Sequence, residues 1–100
     1  MKRIDFEKLA RKEARAAYRW YLRQGGKTTA LGFAAALAAA ITHVELHPYA
    51  TAKHLRGTRI WKLKKYPYYL VFKINPSGDL RGIAIAHTSR DRGYWWKRTR

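Results

Sequence analysis

The side chains of this sequence that could do chemistry are mostly cations and aromatic rings, and they concentrate toward the C-terminal end. His87, Arg90 and Tyr94 follow one another at short spacing near the end of the last predicted strand. RNA cleavage needs a base, a cation for the developing phosphate charge and a proton donor for the leaving oxygen. These three residues are therefore the predicted catalytic set if the protein is a ribonuclease. A structural, hydrogen-bonded role for His87 is an equally open reading.

A larger group of basic and aromatic side chains predicts contact with a polyanionic target. Arginine and lysine bind phosphates, and tryptophan can stack on bases. The predicted target-binding residues are Arg56, Arg59, Lys62, Lys64, Lys65, Arg92, Trp95, Lys97 and Arg98. For Trp95, packing against the predicted helices is the alternative.

The charge balance supports a negatively charged partner. The chain has 100 residues, 22 of them basic and 6 acidic, for a formal net charge of +16. Residues 1–50 carry 9 basic and 4 acidic side chains, whereas residues 51–100 carry 13 and 2. Such a field speeds association with nucleic acid, acidic protein or anionic membrane. The alternative is a generally basic surface kept for solubility.

Several function classes are excluded by what the sequence lacks. It has no cysteine, which rules out disulfides and thiolate zinc sites. Six acids leave little for carboxylate catalysis or magnesium binding. His43 and His47 have metal-binding spacing but no evident third ligand, and no phosphate-binding glycine loop is present. We therefore predict no metal, no cofactor and no small-molecule substrate.

Length and hydropathy predict one cytoplasmic domain covering residues 1–100. The longest apolar run, Ala30–Ile41, is 12 residues long, too short to cross a bilayer. The charged N-terminal segment does not resemble a secretory signal. We therefore expect no membrane partner.

The first half of the chain predicts a short strand and two helices. Ile4 and Phe6 alternate with polar residues, as in a strand. A helix over roughly residues 7–24 has one apolar face and one basic face. Gly25-Gly26 ends it, and a second, alanine-rich helix runs from Thr28 or Thr29 to Pro48. The short link predicts an antiparallel helical hairpin. The basic stripe of the first helix consists of Arg11, Arg15, Arg19 and Arg23.

The second half predicts three strands, over residues 58–65, 68–74 and 80–87. Asn75-Pro-Ser-Gly-Asp79 predicts a hairpin connection between the last two. The continuous apolar run from Ile83 to Ala86 predicts a covered, central strand. The fold class is therefore α+β: an N-terminal strand and an antiparallel helical hairpin packed on an antiparallel sheet of three to four strands.

The chain resembles the RelE/ParE superfamily of bacterial toxins from type II toxin–antitoxin systems. The matching segments, in order, are Trp20-Tyr21-Leu22, His47-Pro48, the run from His54 to Arg59, the run from Tyr66 to Phe72, and Ala86-His87-Thr88-Ser89-Arg90 with Gly93-Tyr94-Trp95. The likeness covers roughly residues 4–98. It implies the same α+β fold and an acidic, partly disordered antitoxin that wraps the toxin, for which the arginine stripe of the first helix is the predicted binding site.

The superfamily divides by activity, and the resemblance leaves two activities open. RelE-like members cleave messenger RNA on the ribosome, and ParE-like members poison DNA gyrase. Lys62, Lys64, Arg90 and Tyr94 match some RelE-like catalytic positions, but Tyr69 and Thr88 stand where arginines are expected. The Tyr66-Pro67-Tyr68 entry and the His87-x-x-Arg90 ending favour the ParE, or plasmid-stabilisation, branch. We therefore expect a gyrase inhibitor that arrests growth; the alternatives are a ribosome-dependent ribonuclease and a basic nucleic-acid-binding module.

Overall fold

The protein is a five-stranded sheet with a bent helix packed on one face. The computed structural model describes residues 2–90, Tyr94, Trp95 and Arg98. The elements, in chain order, are β1 Ile4–Phe6, α1 Lys8–Leu46, a 3-10 turn Pro48–Ala50, β2 Ala52–Lys53, a 3-10 turn Leu55–Gly57, β3 Thr58–Lys62, β4 Tyr68–Ile74 and β5 Leu80–His87.

The helical segment α1 is bent into two arms at Gly26. The backbone of Gly26 has φ 79° and ψ −176°, a conformation open to glycine because it has no Cβ. The first arm, residues 8–25, turns back on the second, residues 27–46, so that the Tyr21 ring stacks on Phe33 with centroids 5.3 Å apart. The predicted helical hairpin and its glycine link are therefore confirmed.

The sheet has five strands, and it is mixed. Its strand order is β1-β5-β4-β3-β2, with β1 parallel to β5 and the other pairs antiparallel. The predicted α+β fold is confirmed, because β5, β4, β3 and β2 form an antiparallel sheet of four strands beside the N-terminal strand. The parallel pairing of β1 with β5 was not predicted. The direction of β1 depends on a partner far away in sequence, and β2 has only two residues, too few to show a periodic pattern.

The strand predicted over residues 58–65 ends earlier than its alternation indicated. β3 stops at Lys62, and residues 63–67 form the turn to β4. Lys65 has a left-handed backbone conformation with φ 68°, which cannot continue a strand. We call residues 63–67 the β3–β4 turn.

Two apolar clusters cover the two faces of the sheet. Between the sheet and α1 lie Phe33 and Val44 of the helix with Leu70, Phe72 and other sheet residues. The opposite face carries a second cluster, whose members are Val71, Ile83, Ala84, Ala86 and Trp95. β5 contributes to both clusters and lies between two strands, as its continuous apolar run predicted.

One 18-residue stretch of α1 is apolar enough, by length and composition alone, to cross a membrane, with a mean hydropathy of 1.5. Phe33, Ala40 and Val44 of this helix are instead buried in the cluster on the sheet. We therefore interpret α1 as a helix that packs on the sheet.

Replacing Gly82 with alanine should destabilise the fold. A Cβ at this position would overlap the Phe6 ring of β1. We expect Gly82→Ala to lower the free energy of unfolding by about 1–3 kcal/mol, measured by urea denaturation. The matched control is the same substitution in a Phe6→Ala background, where the clash is absent and the loss should be much smaller. An equal loss in both backgrounds would contradict this packing.

Candidate functional site

An open groove lies between the first arm of α1 and the C-terminal end of β5, with a volume of about 700 Å³. We call it the C-terminal groove. The sheet contributes Tyr68 to its wall, and the chain after β5 contributes Ser89. It brings together the three predicted catalytic residues, His87, Arg90 and Tyr94, and it also includes Trp20 and Arg23 of the first arm.

The Glu13 carboxylate joins this groove to the rest of the fold. It accepts hydrogen bonds from the Tyr94 hydroxyl at 2.6 Å and from the Arg98 guanidinium at 2.9 Å. It also accepts the backbone N–H of Ile85 at 3.2 Å, while Arg98 donates to the Ile83 carbonyl at 3.1 Å. The pairing of β1 with β5 has already ended at Gly82. These side chains therefore satisfy the β5 backbone where β1 no longer does.

Tyr94 is a buried phenol that is hydrogen-bonded to the same carboxylate, and both conditions affect its pKa. Burial of the phenol, together with the hydrogen bond to Glu13, raises the pKa of Tyr94 well above its ordinary value. The hydroxyl stays protonated at neutral pH and donates a hydrogen bond to the Glu13 carboxylate. The Arg90 guanidinium lies over the Tyr94 ring, 4.6 Å from its centroid. This is cation–π geometry, and it holds the arginine at the groove.

His87 is also engaged within the chain. Its Nδ1 accepts the backbone N–H of Ser89 at 3.0 Å and lies 2.7 Å from the Ser89 hydroxyl oxygen. Its ring packs edge-on against Tyr68, with centroids 5.1 Å apart. Accepting the Ser89 N–H assigns the ring proton of a neutral His87 to Nε2. In this tautomer Nε2 carries the N–H and can donate, but not accept, a hydrogen bond.

The predicted target-binding cations divide between structural and exposed positions. Lys62 donates from its ammonium to the Leu63 and Tyr66 carbonyls, at 3.1 and 3.4 Å. Lys64 and Lys65 are exposed in the turn that Lys62 stabilises. Arg59 and Arg56 lie toward the other end of β3.

Arg59 stabilises the segment that precedes β3. Its guanidinium donates to the Tyr49 and Thr51 carbonyls at 3.2 and 2.8 Å. Arg56 is exposed in the 3-10 turn before β3, with a left-handed φ of 57°. The predicted set is therefore spread along β3 rather than gathered at one point.

Two residues of that set are held inside the protein. Trp95 is only 2% exposed and packs in the cluster on the sheet face opposite α1, so its indole presents no stacking surface. The alternative prediction, that Trp95 packs against the helices, was wrong, because Trp95 packs on the other face of the sheet. Arg98 is paired with Glu13, and its side chain is 16% exposed. Arg92 and Lys97 lie outside the described residues.

A second groove lies between the two arms of α1, with a volume of about 590 Å³. We call it the interarm groove. Its walls are mainly apolar, and they include Tyr18, Leu22, Leu37, Ala38 and Ile41. This groove was not predicted from the sequence. The alanines of the second arm could have indicated it, because small side chains leave space between two helices.

The predicted antitoxin-binding arginines surround this groove. Arg15 and Arg19 line it directly. Arg11 is exposed and donates to the Phe6 carbonyl at 2.8 Å, and Arg23 lines the C-terminal groove instead. The basic stripe therefore runs from one groove to the other along the first arm.

The histidine pair at metal-binding spacing packs with an aromatic residue. The His43 ring stacks on Trp61 with centroids 3.9 Å apart and an interplanar angle of 15°. His47 lies 5.4 Å from His43, centroid to centroid. Within the described part of the chain, no group of three or more potential metal ligands is found.

Comparisons with known proteins gave one family match and one similar fold. The family model for the ParE toxin of the type II toxin–antitoxin system parDE matches residues 4–92. Among solved structures, a chain of the chromosomal ParDE TA system from P. aeruginosa is similar, with a TM-score of 0.77 and 16% sequence identity. The similarity covers 89% of this chain and 98% of that one. No curated protein is significantly similar in sequence.

Removing the charge of Glu13 should destabilise the fold more than removing the charge of Glu7, whose cationic partner is mostly exposed. We expect Glu13→Gln to lower the free energy of unfolding by about 1–3 kcal/mol, since charge-assisted bonds to Arg98 and Tyr94 are lost. Glu7→Gln is the control: its partner Arg81 is 55% exposed, so the loss should stay below about 1 kcal/mol. Equal losses in urea denaturation would contradict the network.

Proposed function

This chain belongs to the ParE toxin family of type II toxin–antitoxin systems, and we propose that it inhibits DNA gyrase and arrests growth until its antitoxin binds. The observation that carries the proposal is the family match, which spans residues 4–92. The place of action, in this proposal, is the cytoplasm.

The chemistry of the C-terminal groove supports binding rather than catalysis. The Tyr94 hydroxyl donates its hydrogen bond to Glu13. Because the pKa of Tyr94 is raised, this hydroxyl is a poor proton donor to a leaving group. Nδ1 of His87 is occupied by Ser89. What the groove offers to a partner is Arg23 and Arg90 beside the half-exposed ring of Trp20, a composition suited to an acidic protein surface.

One observation favours a second candidate, a ribosome-dependent ribonuclease. His87, Arg90 and Tyr94, the predicted catalytic residues, line the same groove. Substrate binding can rearrange hydrogen bonds in an active site. The two candidates differ in their targets, which a pair of assays separates.

The antitoxin, in our proposal, binds across the interarm groove. An amphipathic segment would place its apolar side chains between the arms and its carboxylates against Arg15 and Arg19. The formal net charge of +16 adds long-range attraction for an acidic segment. A segment that folds on binding would therefore cover the first arm and neutralise its arginines.

Purified protein should inhibit supercoiling by DNA gyrase and leave messenger RNA intact in a translation extract. Arg90→Ala should weaken the inhibition at least tenfold, because it removes an exposed cation of the groove. Lys53→Glu, on the far edge of the sheet, should inhibit like the unmodified protein. Full supercoiling at stoichiometric excess would refute the gyrase proposal. Codon-dependent cuts that Arg90→Ala and Tyr94→Phe abolish would establish the ribonuclease instead.

Charge reversal beside the interarm groove should separate antitoxin binding from toxicity. We expect Arg15→Glu/Arg19→Glu to weaken binding of the small acidic protein expected from the adjacent reading frame at least tenfold, measured by calorimetry. Gyrase inhibition should persist. The charge-matched control, Lys53→Glu/Lys73→Glu, should bind within a factor of about three. Equal weakening in both variants would mean that net charge alone attracts the antitoxin.

A further inference from the structure

The β3–β4 turn and the bend of α1 come together at one end of the protein through Tyr66. The Tyr66 hydroxyl donates to the Thr29 carbonyl at 3.1 Å. Its ring packs edge-on against Tyr21 and Phe33, with centroids 5.0 and 5.7 Å away. Tyr66 thereby fastens a turn that contains Lys64 and Lys65 to a bend flanked by Arg23 and Lys27. We call these four cations the basic end.

The four side chains of the basic end are exposed and not neutralised by the described carboxylates. Asp79 pairs with Lys2 at 3.0 Å, and Glu7 pairs with Arg81, both near β1 and the start of β5. The Glu45 carboxylate accepts the N–H of Ile4 at 2.8 Å. These three carboxylates therefore lie around β1. The Glu13 carboxylate is bound to Arg98 and Tyr94. The fold therefore separates most of its acids from this cluster of cations.

The turn that carries two of these cations is fixed from within. Lys62 bonds the Leu63 and Tyr66 carbonyls, and the Leu63 side chain is only 1% exposed. Thr88 also donates its N–H to the Pro67 carbonyl at 2.8 Å. A fixed backbone reduces the entropy lost when the lysines bind a partner.

We propose that the basic end binds the phosphate backbone of double-stranded DNA without reading its sequence. The four exposed cations lie on a turn and beside a bend that Tyr66 joins, and such a cluster suits the closely spaced charges of a duplex. An acidic antitoxin segment would instead seek apolar contact, which the interarm groove supplies. The Tyr66 ring packs edge-on against Tyr21 and Phe33 and is only partly exposed, which disfavours stacking on single-stranded bases.

This inference goes beyond the proposed inhibition of gyrase, and it does not require it. DNA gyrase acts on duplex DNA, so a toxin bound there would hold the enzyme through one surface and its DNA through another. The C-terminal groove and the basic end share Arg23 as a border. Binding to DNA alone, in the absence of gyrase, tests the inference separately from the proposed function.

The experiment measures binding to a fluorescent double-stranded oligonucleotide over a range of salt concentrations. Lys27→Glu/Lys64→Glu should bind at least tenfold more weakly in low salt. The slope of log affinity against log salt should become shallower by about 2, because two phosphate contacts are lost. Lys53→Glu/Lys73→Glu is the charge-matched control, at the opposite end of the sheet, and should lose much less.

Circular dichroism and the unfolding midpoint of each variant show whether it is folded, and a folded variant makes the comparison decisive. Equal loss in the two charge-matched variants would overturn the inference, since net charge alone would explain binding. Unchanged affinity in Lys27→Glu/Lys64→Glu would overturn it as well. Tighter binding of a single-stranded oligonucleotide of the same length, weakened by Lys27→Glu/Lys64→Glu, would overturn the assignment to double-stranded DNA.

Discussion

The carboxylate of Glu13 is the contact on which the arrangement of the functional surface depends. It is one of six acidic residues in a chain with 22 basic ones, and it is placed where three parts of the fold meet. The first arm of α1 supplies it, β5 donates a backbone N–H to it, and Tyr94 and Arg98 bring the C-terminal segment onto it. Without this anion, the Tyr94 hydroxyl would lose its acceptor and Arg98 would keep only the Ile83 carbonyl of β5 as a hydrogen-bond partner.

Most of the acids that the structure describes lie around β1, away from many of the cations of this basic chain. Asp79, Glu7 and Glu45 stabilise β1 and its surroundings through ion pairs or a backbone bond. The cations of the basic end and of the first arm are left exposed, which costs stability but leaves them available to an acidic or phosphate-bearing partner. Charge is thus separated along the molecule rather than balanced locally.

The sequence predicted the elements that have a strong period and missed the features set by distant contacts. The helical hairpin, β4 and β5 follow from apolar stripes, a glycine link and a continuous apolar run. The parallel pairing of β1 could not be predicted, because β5 lies more than seventy residues away along the chain. The face of the sheet on which Trp95 packs could not be predicted, because Trp95 lies outside any periodic pattern. Glu13 did give one: it lies between the buried Ala10 and Ala17 on the same face, an unusual place for an acid.

In our proposal, this toxin acts on gyrase through a binding groove and not on RNA through an active site. The supercoiling of a reporter plasmid in cells after induction of the chain, followed together with the integrity of an unrelated message, tests this directly. We expect a plasmid that loses negative supercoils while the message stays intact. A fully supercoiled plasmid in growth-arrested cells whose messages are cut would contradict it.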